Sequence, residues 1–275
     1  MISIPKILHY CWFGRNPLGE KELACIESWK KFLPGYEIKR WDESNYDFRS
    51  CDYVSEAYDA GKWAFVSDYA RFDILYRHGG LYFDTDVELI KPIDDIVARG
   101  PFMGCETDWD GHGNTAMAPG MTMTVNPGVG LGARPDMELY RAIIDSYRSD
   151  HFRQPGGTLD QTTVVMRVTR ILLGLGLELR PGIQEVGGVW VYPSDYFNPK
   201  DYVTGEINTT ENTRSIHHFS MSWFTPEERY QHDVIGRLVS RGFSDKTAGR
   251  LSAIAATLKF RDFGRVVEHF ARKRS

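Results

Sequence analysis

Residues 63–90, WAFVSDYARFDILYRHGGLYFDTDVELI, join a helix-like stretch to a strand-like stretch through two glycines. In the first part, aromatic residues recur with helical spacing along one stripe: Phe65, Tyr69, Phe72 and Tyr76. Gly79 and Gly80 predict the end of this helix, because glycine readily adopts the left-handed backbone conformation found at helix C-termini. The sequence therefore predicts a helix over residues 63–78 that leads directly into a strand.

The strand-like part, LYFDTDVELI (81–90), alternates with a period of two. This period predicts an apolar face and an opposite face that includes Asp84 and Asp86. Two carboxylates this close repel each other unless a cation or a proton lies between them. Because oxygen ligands favour hard divalent cations, the pair predicts a Mg²⁺ or Mn²⁺ site. The alternative is a strand face exposed to solvent.

The predicted helix also places Asp68 and Arg71 on one side, between apolar neighbours. An exposed ion pair at this spacing is common and contributes little to stability. The other interpretation is a charged pair that faces a cleft shared with Asp84 and Asp86. Helical spacing alone does not separate the two.

Strands and helices alternate in the N-terminal half of the chain. IPKILHYCWFG (4–14) and YEIKRWDES (36–44) are typical of strands, and a helical apolar pattern lies between them. Strand, helix and strand in this order predict a parallel crossover and an open α/β sheet. Ligands of such sheets bind at the carboxyl ends of the strands, where Trp12 falls.

Composition limits the class of protein. The 275 residues are 42% hydrophobic and 25% charged with a net charge of -4, which is ordinary for a globular protein and gives no overall attraction to nucleic acid. The four cysteines lie far apart and indicate reduced thiols. The first residues lack the pattern of a signal peptide, and no apolar run approaches the roughly 20 residues of a membrane span. We therefore expect a cytoplasmic location.

Two further segments lead to separate predictions. The glycine-rich run TVNPGVGLGARPD (124–136) lacks the Lys-Ser/Thr ending of a phosphate loop and predicts a turn into a helix at Pro135.

Residues 236–275 are rich in Lys and Arg, so we divide the chain into a catalytic domain, 1–235, and a basic tail, 236–275. Apolar tail residues fall at i, i+3, i+4 and i+7: Phe263, Val266, Val267 and Phe270. This amphipathic tail either packs on the domain or lies on an anionic membrane surface.

Three segments together resemble glycosyltransferase family 32: SDYARFDILYRHGGLYFDTDVELIKPID (67–94), IPKILHYCWFG (4–14) and IHHFSMSW (216–223). This family comprises bacterial capsule and lipopolysaccharide sugar transferases, related to fungal α-1,6-mannosyltransferases and to the glucosyltransferase domains of clostridial toxins. The resemblance spans about residues 4–225. Its specificity comes from the fixed spacing of Ser-Asp, Arg, Gly-Gly, Tyr and two Asp, since a lone DxD motif is weak.

The resemblance implies a glycosyltransferase-A fold, here with additional C-terminal helices. It implies a nucleotide-sugar donor, with a UDP-sugar favoured, a Mn²⁺ or Mg²⁺ cofactor and transfer with retention of anomeric configuration. The acceptor would be a glycan or lipid-linked glycan of capsule, exopolysaccharide or lipopolysaccharide synthesis. The enzyme would then act in the cytoplasm, on the inner membrane face if the tail binds lipid.

The resemblance also implies roles for individual residues. The donor site would comprise Trp12 stacked on the base, Asp68, Arg71, Tyr82, Asp84 and Trp223. The metal would be held by Asp84, Asp86, His218 and Ser222, and the catalytic residues would be Arg71, Asp84 and Asp86. An extended chain alternates its faces, so only one of His217 and His218 can point inward, and we favour His218. Further candidates for sugar or acceptor contacts are Asn126, Asp160 and Gln161.

Two other functions fit parts of the sequence. LYFDTDV also matches the first motif of haloacid-dehalogenase-like phosphatases, in which Asp84 would be the nucleophile. Such an enzyme needs a late acidic motif of the GDxxxD kind, and the sequence contains none. A non-catalytic sugar-nucleotide-binding module is the second alternative, and an assay of donor hydrolysis separates it from an enzyme.

Overall fold

The structure, a computed structural model, describes residues 3–108, 122–221 and 224–260. The chain divides into two compact units. The first comprises residues 1–200 and 208–219, and the second comprises residues 201–207 and 220–275. The first unit contains all the strands of the described residues and is the unit that positions the candidate site.

The described strands are β1 Ile7–Cys11, β2 Glu37–Trp41, β3 Gly80–Tyr82, β4 Val87–Leu89, β5 Phe102–Thr107, β6 Thr124–Ala133, β7 Gln184–Val186, β8 Val189–Tyr192 and β9 Ser215–His217. The helices of the first unit are α1 Glu20–Phe32, α2 Asp52–Asp59, α3 Trp63–His78, α4 Asp94–Arg99, α5 Glu138–Arg148, α6 Val164–Gly174 and α7 Ser194–Phe197. Those of the second unit are α8 Pro226–Val239 and α9 Asp245–Phe260.

Seven strands form one mixed sheet in the order β2-β1-β3-β6-β5-β8-β7. β2, β1 and β3 are parallel, and β6 is antiparallel to both of its neighbours. A separate two-stranded antiparallel sheet pairs β4 with β9. The parallel pair β1 and β2, joined by α1, confirms the predicted strand-helix-strand unit.

Helices pack on both faces of the large sheet. Tyr82 of β3 lies in an apolar cluster with side chains of α3, α5 and α6. Its neighbours Leu81 and Phe83 lie in a second cluster, which includes Trp29 of α1. Successive side chains of a strand point to opposite faces, so the two clusters occupy opposite sides of the sheet. The predicted α/β class is confirmed.

The segment around the two aspartates differs from the prediction of one continuous strand. β3 ends at Tyr82, β4 begins at Val87, and the two strands belong to different sheets. Between them the amide of Val87 donates to the carbonyl of Asp84, at 3.1 Å, and closes a turn. Asp84 and Asp86 therefore lie in a turn at the end of β3 and not on the face of a strand.

The glycine-rich run forms a strand that ends at the predicted turn. Residues 124–133 form β6, a buried strand, and a turn at Pro135 and Asp136 leads into α5, which begins at Glu138. Its glycines fit between bulky neighbours: a Cβ on Gly132 would lie 2.3 Å from the ring of Phe102, and one on Gly130 would lie 3.0 Å from Phe83. The absent side chains thus allow close packing within the sheet.

The second unit contains α8 and α9. A capping box begins α8, in which Thr225 accepts from the amide of Glu228 and the Glu228 side chain accepts from the amide of Thr225. The domain boundary predicted between residues 235 and 236 falls inside this helix. The amphipathic pattern of Phe263, Val266, Val267 and Phe270 lies outside the described residues. No helix in the described part of the chain is both long and apolar enough to cross a bilayer.

Candidate functional site

A buried arginine forms the centre of the site. The Arg71 side chain is only 4% exposed, and its Nη2 lies 2.8 Å from Asp68 Oδ1 and 3.2 Å from Asp84 Oδ1. The guanidinium also lies over the ring of Tyr82, at 5.0 Å from the ring centre. α3 supplies Asp68 and Arg71, as the helical spacing predicts. The pair is not the exposed surface ion pair that the sequence left open.

Asp84 is fixed by its turn and by a hydroxyl. Its amide donates to the carbonyl of Gly128 at 3.0 Å, and the hydroxyl of Tyr82 donates to its Oδ1 at 3.0 Å. A Cβ at residue 128 would lie 2.1 Å from Asp84 Oδ2, so the close approach of β6 requires a glycine there. Asp84, Arg71 and Tyr82 thus form one connected group.

Asp86 faces a histidine that is distant in the sequence. The pairing of β4 with β9 sets Val87 opposite His217 and brings His217 Nε2 to 3.2 Å from Asp86 Oδ1. Burial acts to lower the pKa of His217, but the carboxylates of Asp86, Asp84 and Glu106 together outweigh that effect, and the pKa is raised. The Nδ1 atom of His217 is buried without a hydrogen-bond partner among the described residues.

The neighbouring histidine points the other way. His218 Nε2 lies 2.8 Å from Glu88 Oε2 and is partly exposed. The expected alternation of the histidine pair is therefore present, but the residue that faces Asp86 is His217, whereas the sequence interpretation favoured His218. The reason is the register of β9, which depends on long-range pairing and not on local sequence.

The side chains of the site can be tested as ligands of a divalent cation. In residues 3–108, 122–221 and 224–260, no group of three or more His, Cys, Asp or Glu side chains is arranged to hold a metal ion. Two ligands are in place, the Asp86 carboxylate and the imidazole of His217, whose Nε2 lies 3.2 Å from that carboxylate. Mn²⁺ accepts both kinds of ligand, and such ions often take their remaining ligands from substrate phosphates and water. Asp86 and His217 therefore fit a divalent cation whose remaining ligands are substrate phosphates and water.

Sequence analysis missed a buried glutamate beside the site. Glu106, at the end of β5, accepts from Asn126 Nδ2 at 2.6 Å, and Asn126 Oδ1 accepts from the amide of Gly128 at 2.7 Å. Burial raises the pKa of Glu106 to about 7, with His217 acting in the opposite direction. The only sequence signal was an acid within the apolar run FMGCET, which matched no motif.

Lys200 is a second missed residue. Its Nζ donates to the carbonyl of His218 at 2.7 Å. Burial lowers its pKa, and the nearby Asp86 carboxylate acts to raise it. Lys200 therefore places a positive charge on the Asp86 side of the site.

The other predicted site residues have different outcomes. Trp12 follows β1 at the carboxyl end of the strand, is half-buried, and donates from Nε1 to the carbonyl of Asn16 at 2.7 Å. Asp160 lies 4.0 Å from Arg167, and Gln161 is exposed. Ser222 and Trp223 lie outside the described residues. Stacking of Trp12 on a base stays a prediction.

The site coincides with a known sequence family. Residues 19–103 match the family described as "Glycosyltransferase sugar-binding region containing DXD motif". This part of the chain is similar to the sugar-binding region of glycosyltransferases. The region includes Asp68, Arg71, Tyr82 and both aspartates of the DxD motif. The family-32-like assignment made from the sequence is confirmed for this region.

Curated relatives resemble the same part of the chain. Inositol phosphoceramide mannosyltransferase 3 of Schizosaccharomyces pombe is 34% identical over 99 residues, which cover 34% of this chain and 28% of that protein. Inositol phosphoceramide mannosyltransferase 1 of the same organism is 29% identical over 125 residues, which cover 42% of this chain and 38% of that protein. The chain thus matches well under half the length of each relative.

Solved glycosyltransferases are more distant. A glycosyltransferase involved in glycosylation of the major capsid of PBCV-1 matches 78% of this chain and 95% of its own, with a TM-score of 0.42 and 11% identity. The galactosyltransferase LgtC, solved with donor and acceptor sugar analogues, matches 90% of this chain and 95% of its own, with a TM-score of 0.39 and 13% identity. Likenesses this distant do not bear on the substrate or the mechanism of this chain.

Proposed function

We propose that the chain is a metal-dependent, retaining glycosyltransferase with a glycosyltransferase-A catalytic unit that uses a nucleotide-sugar donor. The observation that supports this most strongly is the grouping of Arg71, Asp84, Asp86 and His217 within the sugar-binding region and β9. A buried guanidinium beside carboxylates suits a ligand that combines phosphate and sugar hydroxyl groups.

Each half of the site suits one part of a nucleotide-sugar. Arg71 offers N–H donors at a site shielded from water, where they can oppose the charge that grows on a departing diphosphate. Asp84, held by Tyr82, presents carboxylate oxygens that can accept from sugar hydroxyls. Asp86 and His217 would hold Mn²⁺ or Mg²⁺, which when bound supplies positive charge to the donor phosphates.

The acceptor and the donor sugar belong to the same proposal. A glycan or lipid-linked glycan of capsule, exopolysaccharide or lipopolysaccharide synthesis is the acceptor class we propose, with a UDP-sugar as donor. The two Schizosaccharomyces pombe relatives are named inositol phosphoceramide mannosyltransferases, which adds mannose as a second candidate sugar and an inositol phosphoceramide as a second kind of lipid acceptor. The proposed location is the cytoplasm, peripheral to the inner membrane face.

The family match speaks against the phosphatase alternative. Such a phosphatase needs a late acidic motif of the GDxxxD kind, which the sequence lacks, and the region around Asp84 instead matches the sugar-binding region of glycosyltransferases. A non-catalytic binding module would keep the same site, and the assay of donor hydrolysis distinguishes it.

The first prediction tests the metal ligands through a matched pair of histidines. We expect Asp86→Asn and His217→Asn each to lower Mn²⁺-dependent sugar transfer by at least about a hundredfold, because loss of a ligand should cost no less than the roughly 10–100-fold lost with a residue that only supports a ligand. His218→Asn should retain transfer within a few-fold, because its ring faces Glu88. The measurements are donor turnover and Mn²⁺ binding by calorimetry in the presence of the nucleotide.

Thermal unfolding of the three variants provides the control for folding. Full metal-dependent activity in a folded Asp86→Asn protein would overturn the metal assignment. An equal loss in His217→Asn and His218→Asn would overturn the choice between the histidines.

A further inference from the structure

A cavity of about 560 Å³ lies on the side of α3 that faces away from the candidate donor site. α3 lines it with Tyr69, Asp73 and Tyr76, whereas Arg71 points toward Asp84. Residues 71 and 73 are separated by about 200° around a helix of 3.6 residues per turn. The cavity is therefore a separate site, and its volume is in the range of about 300–1,000 Å³ typical of small-molecule sites.

The floor of the cavity is buried and polar. The Asp73 side chain is 8% exposed, accepts from the hydroxyl of Tyr46 at 3.1 Å, and pairs with Arg77 at 2.9 Å. Tyr69 and Ile144 are also buried there. The floor thus combines a fixed carboxylate with a flat aromatic face, which suits a ring that is apolar on its face and carries hydroxyls at its edge.

Three arginines line the cavity and are exposed: Arg77, Arg141 and Arg148. Asp145 orients two of them, since its carboxylate lies 3.2 Å from Arg141 Nε and 3.1 Å from Arg148 Nε. In both contacts the atom nearest to Asp145 is Nε, and Arg141 Nη1 lies 3.5 Å from the hydroxyl of Tyr76, which also lines the cavity. Guanidinium groups placed in this way match the oxygens of a carboxylate or a phosphate.

The charges in the cavity limit the ligand. Its lining contains three arginines and two aspartates. Arg77 pairs with Asp73, whereas Arg141 and Arg148 share the single carboxylate of Asp145, so this arginine pair has one positive charge more than its ion-pair partner. The second aspartate of the lining, Asp52, forms no salt bridge with the pair among the described residues. A ligand with several phosphates would bring more negative charge than the pair can match, and one acidic group matches its single excess charge.

We propose that this cavity binds a sugar ring that carries a single acidic group, a carboxylate or a phosphate. The hydroxyls of the ring lie against Asp73 and the tyrosines, and the acidic group contacts Arg141 and Arg148. The ligand can be an acidic unit of a glycan chain or a free sugar phosphate, since both present the same chemistry. The inference does not depend on the donor site or on the proposed activity.

Calorimetric titration of the full chain tests the proposal with four probes: methyl glucuronide, glucose 1-phosphate, glucose and inorganic phosphate. We expect at least one of the two acidic sugars to bind about tenfold more tightly than glucose and than inorganic phosphate, because charge-assisted and hydroxyl contacts are then made together. Tighter binding of the glucuronide identifies a glycan unit as the ligand, and tighter binding of glucose 1-phosphate identifies a sugar phosphate.

Variants assign the binding to this cavity. Arg141→Gln with Arg148→Gln should weaken the acidic sugar about tenfold or more. Arg180→Gln, which removes an equally exposed, ion-paired arginine outside the cavity, should leave binding unchanged. Asp86→Asn, in the candidate donor site, should also leave it unchanged.

Three results would overturn the proposal, provided that thermal unfolding shows the double variant to be folded. The first is no binding of either acidic sugar at millimolar concentration, and the second is equal binding of inorganic phosphate. The third is wild-type affinity in the double variant.

Discussion

At the scale of single residues, His9 shows how burial fixes a protonation state. The imidazole is fully buried on β1, with Nε2 at 3.0 Å from the carbonyl of Gly79 and Nδ1 at 3.0 Å from Trp41 Nε1. The indole N–H can only donate, so Nδ1 accepts and Nε2 holds the proton. This neutral ring joins β1, β2 and the turn after α3.

Protonation of His9 should destabilise the fold in acid. Burial lowers the pKa of His9 from 6.5 to about 4. The unfolded chain therefore takes up this proton first, so the contribution of His9 is complete above pH 6.5 and is lost as the pH falls to about 4. The difference between the two pKa values of His9 corresponds to a loss of up to about 3 kcal/mol in the free energy of unfolding. Urea unfolding at several pH values measures it.

A His9→Gln variant separates this effect from that of other titrating groups. The variant should be less stable at pH 7 but should lose less stability than the wild-type protein between pH 6.5 and pH 4. Parallel pH profiles of the two proteins would contradict the assignment.

At the scale of secondary-structure elements, the conformation of Asp84 depends on a glycine in β6. A Cβ on Gly128 would meet Asp84 Oδ2 at 2.1 Å, and the end of that side chain would have to move. We expect Gly128→Ala to displace Asp84 from Tyr82 and Arg71 and to lower sugar transfer by at least about tenfold, while stability falls by only about 1–3 kcal/mol, the usual cost of overpacking. Donor turnover and thermal unfolding measure the two effects.

Gly130→Ala is the control in the same strand. Its Cβ would lie 3.0 Å from the ring of Phe83, in the core, so this variant should lose stability but keep transfer. A loss of transfer in proportion to stability in both variants would show that Gly128 acts only through packing and not through the position of Asp84.

Helix α3 and the strand pairings differ in how far the local sequence determines them. The helix over residues 63–78 was predicted with correct ends because aromatic spacing and two glycines are local signals. The break between β3 and β4 was not predicted, since the alternation of LYFDTDVELI runs through the turn unchanged. The choice of His217 and the contact of Glu106 with Asn126 both depend on pairing between strands that are distant in sequence. Motif residues were thus predictable, and their partners were not.

At the scale of the whole molecule, residues 261–275 follow the last described helix. They contain five basic residues, Arg261, Arg265, Arg272, Lys273 and Arg274, against Asp262 and Glu268. A truncation after Phe260 keeps α9 entire, including the contact of Lys259 with the ring of Tyr230. Such a variant removes the last part of the basic tail, residues 261–275, and keeps both helices of the second unit as the structure gives them.

The tail should supply binding to anionic membranes. Each basic residue near an anionic surface contributes about 1 kcal/mol. We expect the full chain to bind phosphatidylserine-containing vesicles in a salt-sensitive manner and the truncated chain to lose this binding while retaining transfer to a soluble acceptor. Vesicle sedimentation measures it, with neutral vesicles as the control. Equal binding by both chains would rule the idea out, and an insoluble truncated chain would indicate that the tail packs on the protein.

The pairing of β4 with β9 makes the candidate site a late product of folding. Asp86 and His217 can meet only after the 130 residues between them have been synthesised. Closing a loop of this length is entropically costly until the intervening core has formed. A partly synthesised chain, or one cut before residue 215, contains the whole sugar-binding region but lacks one side of the Asp86–His217 pair. We therefore expect fragments of the first unit left by proteolysis to be inert in sugar transfer.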